Sequence, residues 1–323
     1  MKVSVLMITY NHAPYFAHAV ESALAQETSF DYEIVIGEDC STDGTRELVA
    51  QYARDYPEKI RAFQAASNLG MRENFLRTWK ACTGEYIAML EGDDFWTSRT
   101  KLQRQVDFLD TTPECSLCFH KVTVVRQDGS ILVGHDGSNI EYANNVKTLS
   151  GIEDILRKNF IATPSVMFRN GLIAELPVWA TKIAMLDWLL WALHATRGQL
   201  GYIEGVMGSY RLHAGGAWSA LHPALQTQNT AQFLRHMDSE LGFRYHRQVS
   251  ESICAQYNSL ALWYWTRGLY AEARRCTLAC FREVRFPVCL KENVQLLART
   301  LLPSGFKIAR SGWRLLTHRI AGR

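Results

Sequence analysis

The 323-residue sequence contains no stretch of roughly 18 consecutive apolar residues, so no membrane-spanning helix is expected. The apolar start, Met1 to Ile8, is too short for a secretory signal and no small-residue cleavage site follows it. Neither G-x-G-x-x-G nor G-x-x-x-x-G-K-[ST] occurs, which argues against a dinucleotide oxidoreductase and a P-loop NTPase. Eight cysteines are too few for a disulfide scaffold. Cys115 and Cys118 form a lone C-x-x-C with no second ligand pair at zinc spacing, and buried thiols in a reducing cytosol are the expected state. The 21 Gly and 8 Pro show no G-X-Y period, which excludes a collagen-like chain. A net charge of +3 is too small to imply nucleic-acid binding. That charge is also unevenly placed. After Glu292 there is no acidic residue, while Arg299, Lys307, Arg310, Arg314, Arg319 and Arg323 follow.

What is present is an alternation of strand and helix periods. Val3–Ile8, Glu33–Ile36, Ile60–Phe63 and Tyr86–Leu90 read as strands. Phe16, Val20 and Leu24, then Leu48, Val49 and Tyr52, then Asn74–Cys82 read as intervening helices. Such βαβ units predict a mostly parallel sheet that binds ligands outside the carboxyl ends of its strands. Three polar clusters fall at those ends: Thr9-Tyr10-Asn11, Glu38-Asp39 and Glu91-Gly92-Asp93-Asp94. Further on, Asp128-Gly129 between two β-rich runs predicts a hairpin, and Ser150-Gly151-Ile152-Glu153 a capping box. Ser165–Phe168 and Tyr202–Tyr210 read as strands and Ile183–His194 as a helix. From about residue 222 the pattern is helical, and Gly268–Ala273 is better read as part of a plain bundle than as a single tetratricopeptide hairpin.

Carboxylates clustered after a buried strand are costly unless a cation or hydrogen bonds compensate them. Hard divalent cations take carboxylate and phosphate oxygens together, so Glu91–Asp94 suggests Mg²⁺ or Mn²⁺ on a pyrophosphate. A solvated acidic turn is the alternative. A carboxylate at Glu38-Asp39 can accept from a uracil imide N–H or a ribose hydroxyl, or cap a helix, and Asp43 suits the capping role better.

Taken together, Val3–Asn11, Ile36–Thr45, Asn68-Leu69-Gly70 and Glu91–Asp94 resemble the inverting family 2 glycosyltransferases of GT-A fold. The resemblance implies an α/β nucleotide-sugar-binding fold over residues 1–220, with a donor half (1–110) and an acceptor half (111–220); it says little about the region beyond, which the residue pattern makes helical (221–323). It implies a nucleotide-diphosphate-sugar donor, most often a UDP-sugar, and Mn²⁺ or Mg²⁺. Thr9, Tyr10, Asn11, Glu38, Asp39, Asn68, Gly70, Glu91, Gly92 and Arg211 are then the expected donor-binding residues, with Asp39 on the base. Asp93 matches the metal-binding acid of the family's D-x-D, where Glu91 replaces the first Asp; Asp94 is held in reserve for metal or acceptor. Arg211-Leu212-His213 resembles a basic R-x-H segment, which implies that His213 ligates the metal or contacts the diphosphate. Asp187 occupies the place of the general base, with Leu186 where the family usually carries a second acid. Trp188 and Trp218 are candidates to stack on sugar rings.

The expected activity is sugar transfer to a hydroxyl of a glycan or lipid-linked acceptor in surface polysaccharide synthesis. The expected location is the cytoplasm, with the amphipathic basic tail Phe306–Leu316 available to an anionic membrane face. The alternatives are a nucleotidyltransferase, disfavoured because Thr9–Pro14 holds neither glycine nor Lys/Arg, and a catalytically silent glycan-binding or scaffold protein.

Overall fold

The computed structural model describes residues 1–144 and 146–283. The basic tail and Cys289 lie outside the described residues, as does the membrane contact expected of that tail. The described chain divides into two compact units: residues 1–182 with 186–220, and Ile183–Met185 with residues 221–283.

The first unit begins with strands β1 (Val3–Thr9), β2 (Tyr32–Glu38), β3 (Ile60–Gln64) and β4 (Tyr86–Met89), separated by helices α1 (Ala13–Leu24), α2 (Thr45–Asp55) and α3 (Met71–Ala81). The strands lie in the order β3-β2-β1-β4 and are parallel. β1 and β2 are buried on both faces, which is why they read as near-continuous apolar runs rather than alternating ones. β3 sits at the edge and is correspondingly half exposed. Helix α1 turns Tyr15, Phe16, Ala19, Val20 and Ala23 inward at helical spacing, and Pro14 in its first turn needs no hydrogen-bonding N–H.

The remaining elements of this unit are β5 (Phe95–Trp96), α4 (Lys101–Thr111), β6 (Cys115–Arg126), β7 (Glu141–Tyr142), β8 (Leu149–Ser150), α5 (Ile152–Arg157), β9 (Met167–Arg169), α6 (Leu186–Ala195) and β10 (Gln199–Leu212). They extend the sheet as β4-β9-β6-β10-β5. β9 is antiparallel to β4 and to β6, so β6 and its parallel partner β10 run in the direction of β1–β4. The sheet is therefore mostly parallel. Bulges in β10 between Ile203 and Gly208 bend it, and its far end pairs with β5 through Gly208 and Ser209. That pairing brings Arg211–His213 back against the turn that follows β4.

Several local expectations shift by a residue or two. Helix α5 is capped by Gly151 rather than Ser150, because Ser150 is drawn into β8 pairing with Leu200. The acid at the third helical position is Asp154, whose carboxylate accepts the Gly151 N–H at 3.0 Å. Ser165 lies in a 3-10 turn with Pro164, and the strand begins at Met167. The turn at Asp128-Gly129 forms, with Gly129 at φ +84° and Val125 bridging Ile131. Cys115 and Cys118 are buried free thiols on β6, and burial pushes both upward, Cys115 to about 11. The second unit holds α7 (Pro223–Glu240), α8 (His246–Thr266) and α9 (Tyr270–Glu283). It corrects the expectation of thiols throughout, since Cys254 and Cys280 form a disulfide between α8 and α9. No helix among the described residues is long and apolar enough to cross a membrane.

One core residue runs against its chemistry. Lys101 is fully buried at the start of α4, its Nζ has no hydrogen-bond partner, and it sits 3.9 Å from the centre of the Trp96 ring. Burial holds its pKa well below the usual lysine value. The unfolded chain, with an ordinary lysine near ~10.4, binds the proton more readily, so folding carries a penalty that shrinks as pH rises. Lys101→Met should therefore stabilise the protein by about 1–3 kcal/mol at neutral pH. The gap from wild type should narrow toward pH ~10, as read by denaturant unfolding at several pH values.

Candidate functional site

The carboxyl ends of β1, β2 and β4 are knitted together by the backbone. The Asp39 N–H donates to the Thr9 carbonyl at 3.1 Å, and the Gly92 N–H donates to the Ile8 carbonyl at 3.0 Å. The three polar clusters read from the sequence thus share one rim. Gly92 is required there: a Cβ would stand 2.5 Å from Thr9 Oγ1.

The loop after β1 is sewn to the loop after β2. Asn11 adopts φ +54°; its N–H donates to Ser41 Oγ, and its Oδ1 accepts the Thr42 N–H. The His12 N–H donates to Thr45 Oγ1 at 2.8 Å, and the Ala13 N–H to Asp43 Oδ2 at 3.0 Å. Asp43 also accepts the Thr45 N–H at the start of α2, while Gly44 occupies the cap position itself. Asp39 is buried and its two oxygens accept the N–H groups of Leu69 (2.7 Å) and Gly70 (2.9 Å). Asn68 Oδ1 accepts the same Gly70 N–H, and Gly70 sits at φ +84°, a conformation that favours glycine. Asp39 therefore fixes the Asn68–Gly70 turn beside the rim and keeps spare lone pairs. Tyr10, next along the chain from Thr9, is exposed.

Glu91, Asp93 and Asp94 lie on the turn after β4, with carboxylate oxygens within 4.8 Å of one another. Each has a different environment. Burial, then Asp93 and Asp187, push Glu91 up to about 8. Burial and the neighbouring carboxylates push Asp94 well above its usual value, although its Oδ1 accepts the Arg211 N–H at 2.8 Å. For Asp93 burial also pulls upward. The hydrogen bond from His213 and the charges of His12 and His213 outweigh it, leaving the carboxyl below its usual value. Asp93 is thus the ionised member. His213 Nε2 lies 2.9 Å from Asp93 Oδ2, and His12 Nε2 lies 3.7 Å from the same oxygen. These three residues form a second ligand-competent group. Asp93 Oδ1, Asp94 Oδ2 and Thr9 Oγ1 are buried without a hydrogen-bond partner. A carboxylate-and-imidazole donor set with unsatisfied buried oxygens fits a divalent cation.

Asp187 sits in the first turn of α6 and is raised by burial, with Asn159 Nδ2 3.4 Å from its Oδ2. Its charge reaches Glu91 and Tyr142. A cavity of about 310 Å³ borders Asn159, with Val124, Leu132, Ile140, Tyr142 and Phe160 among its walls.

Three residues expected to meet ligand are engaged by the scaffold. Glu38 has no exposed surface; its Oε1 accepts the Ser41 N–H, and Arg46 lies 3.5 Å from its Oε2, so it braces the loop from beneath. The Arg211 guanidinium donates to the carbonyls of Asp93 and Gln127 and lies against the Tyr15 and Phe95 rings, so it rivets the acidic turn to β10. Trp188 is buried with its Nε1 donating to the Ile155 carbonyl, which makes it a core residue and no sugar platform. Trp218 is half-buried. His12 and Asn159 escaped the sequence reading. The signal for His12 was an imidazole three residues past Thr9, at a strand end already rich in ligand types. Nothing local marked Asn159.

Residues 4–158 match the family described as Glycosyl transferase family 2. The chain belongs to that family. An uncharacterised protein of Mycobacterium tuberculosis is 35% identical over 221 residues, 68% of this chain and 61% of its own length. The chain thus spans about 61% of that relative. Among solved structures, S. aureus TarS residues 1–349 with UDP-GlcNAc superposes with TM-score 0.62 at 14% identity, covering 96% of this chain and 92% of that one. The Pyrobaculum calidifontis mannosyltransferase PcManGT with GDP-Man and Mn²⁺ gives TM-score 0.59 at 16% identity, covering 99% and 85%. At these identities the two structures show the shared GT-A fold.

Two outcomes test the site itself. Gly92→Ala should destabilise the protein by about 1–3 kcal/mol, because Thr9 cannot retreat from a buried strand end. The second concerns pH. With a folded pKa raised to about 8, Glu91 holds a proton that the unfolded chain has released, so its stabilising contribution is full below the unfolded value of 4.5 and is lost as pH rises through about 8. In chelator-treated protein, wild type should therefore lose stability relative to Glu91→Gln between pH 5 and pH 8 (denaturant unfolding at each pH). A pH-independent gap would contradict the environment assigned to Glu91.

Proposed function

We propose that the protein is an inverting glycosyltransferase that moves a sugar from a nucleotide-diphosphate-sugar, a UDP-sugar in our reading, to a hydroxyl of a glycan or lipid-linked acceptor. The observation that carries it is the ionised Asp93 held between two imidazoles at the strand ends, with the half-buried Asp187 close enough to perturb Glu91. TarS with UDP-GlcNAc and PcManGT with GDP-Man and Mn²⁺ support a nucleotide-sugar donor and a divalent cation for this shared fold.

On this reading the Asn68–Gly70 turn and Tyr10 flank the nucleobase. The free lone pairs of Asp39 accept from its imide N–H. Asp93 and His213 would hold Mn²⁺ or Mg²⁺, which when bound supplies positive charge to the departing diphosphate. Glu91 faces the donor between Asp93 and Asp187. The acceptor enters by the cavity along Tyr142 and Phe160, whose apolar walls suit the flat face of a sugar ring. Asp187 takes the proton of the acceptor hydroxyl as that oxygen attacks the anomeric carbon, and burial makes it a stronger base than a solvated aspartate. Asn159 orients its carboxylate. Products are a nucleoside diphosphate and a glycoside of inverted configuration. An acceptor on a growing surface polysaccharide is the substrate class we assign. The helices α7–α9 form, on this reading, a region distinct from the transferase domain.

Asp187→Asn should lower transfer by about 10²–10⁴-fold while leaving donor binding intact. A thermal-shift screen of nucleotide-sugars with and without Mn²⁺ identifies the donor, and product assays with it measure the loss. Unchanged turnover in Asp187→Asn would remove Asp187 as the base.

A further inference from the structure

His12 plays no part in the family motif that identified this site, yet it is the residue most in need of a partner. Its backbone is immobilised, the N–H donating to Thr45 Oγ1 and the next N–H to Asp43. Its ring is mostly buried and edge-on to His213, with centroids 5.9 Å apart. Nδ1 is buried without a partner and faces Gly92, whose Cβ position lies 3.1 Å away. Nε2 points at Asp93 Oδ2 from 3.7 Å, beyond hydrogen-bond range. Among the described residues the ring makes no side-chain hydrogen bond, although Asp93 beside it has a buried, unsatisfied Oδ1. A rigidly held imidazole aimed at an anion but just too far to bond it leaves room for something between them.

Two ligand sets share Asp93. One is all oxygen: Glu91, Asp93 and Asp94. The other is Asp93 with two imidazoles. Geometry favours the second. Asp94 already accepts the Arg211 N–H through Oδ1, which ties its carboxylate toward β10. The imidazoles, by contrast, present Nε2 atoms from two loops to one oxygen of Asp93. Imidazole nitrogen suits first-row transition metals, whereas Mg²⁺ prefers oxygen donors and retains its waters.

We propose that His12 is a third protein ligand and makes this a His₂–carboxylate centre selective for imidazole-binding divalent transition-metal cations such as Co²⁺ over Mg²⁺. The assignment rests on the nucleotide-sugar reading only for what the cation does, since the ligand set is defined by the protein alone. His12 approaches from β1, His213 from β10 and Asp93 from β4, so the ion closes a seam between the two halves of the sheet.

The test is calorimetric titration of the chelator-stripped full chain with Co²⁺ and, separately, Mg²⁺, without nucleotide. Wild type should bind Co²⁺ on the order of tenfold or more tighter than Mg²⁺. His12→Gln, which keeps a polar side chain of similar reach, should lose about tenfold or more in Co²⁺ affinity, with Mg²⁺ affinity changed less than about twofold. His12→Ala should behave alike, and circular dichroism with thermal unfolding verifies that both variants are folded. Co²⁺ affinity within about twofold of wild type in a folded His12 variant would overturn the proposal while leaving the transferase reading intact. Equal losses for Co²⁺ and Mg²⁺ would overturn the selectivity. If wild type bound neither ion, with or without UDP, both this inference and the metal-dependent reading would fail. Asp93→Asn, expected to abolish binding of both ions, locates the site.

Discussion

The structure turns on three carboxylates, one buried and two half-buried, within reach of one another at the end of a central strand. Left in an apolar interior they would repel one another and be costly to ionise. The fold resolves this by treating them unequally. Asp93 is given two imidazoles, Asp94 a backbone N–H from β10, and Glu91 no compensating partner, so it is driven toward its protonated form. The result is one dependable anion flanked by two adjustable groups, an arrangement that leaves room for cationic and phosphoryl ligands.

Much of the surrounding architecture holds that turn in place. Arg211 reaches from β10 to the Asp93 carbonyl and rests on Tyr15 and Phe95. β5 leaves the turn and pairs back onto β10, so the acidic segment is clamped on both sides. Gly92 lets it approach Thr9 closely enough for the Ile8 carbonyl to accept its N–H. The stitched loops after β1 and β2 then set His12 and Asp39 without placing either on a flexible segment. Residues expected to touch ligand, Glu38 and Arg211, are the ones that brace the scaffold. A long charged side chain at a buried strand end is recruited by nearby backbone groups before any ligand arrives.

The local pattern alone determined the strand–helix alternation of the first hundred residues, because apolar runs buried on both faces and helices with one apolar stripe leave strong periodic signals. It also determined that Thr9–Asn11, Glu38-Asp39 and Glu91–Asp94 end parallel strands and so meet at one rim, since topology converts sequence order into proximity. Boundaries at Ser150 and Ser165 moved because strand pairing and a proline turn claimed those residues. Only the tertiary structure decided which rim residues face the cleft and which face the scaffold. Glu38 and Asp39 are adjacent in sequence and differ only in the partners that distant loops offer them. The same holds for His12, Asn159 and Trp188: whether an imidazole stands beside a carboxylate from another strand, an amide beside a carboxylate on a helix distant in sequence, or an indole inside the core depends on long-range packing, which no local period records.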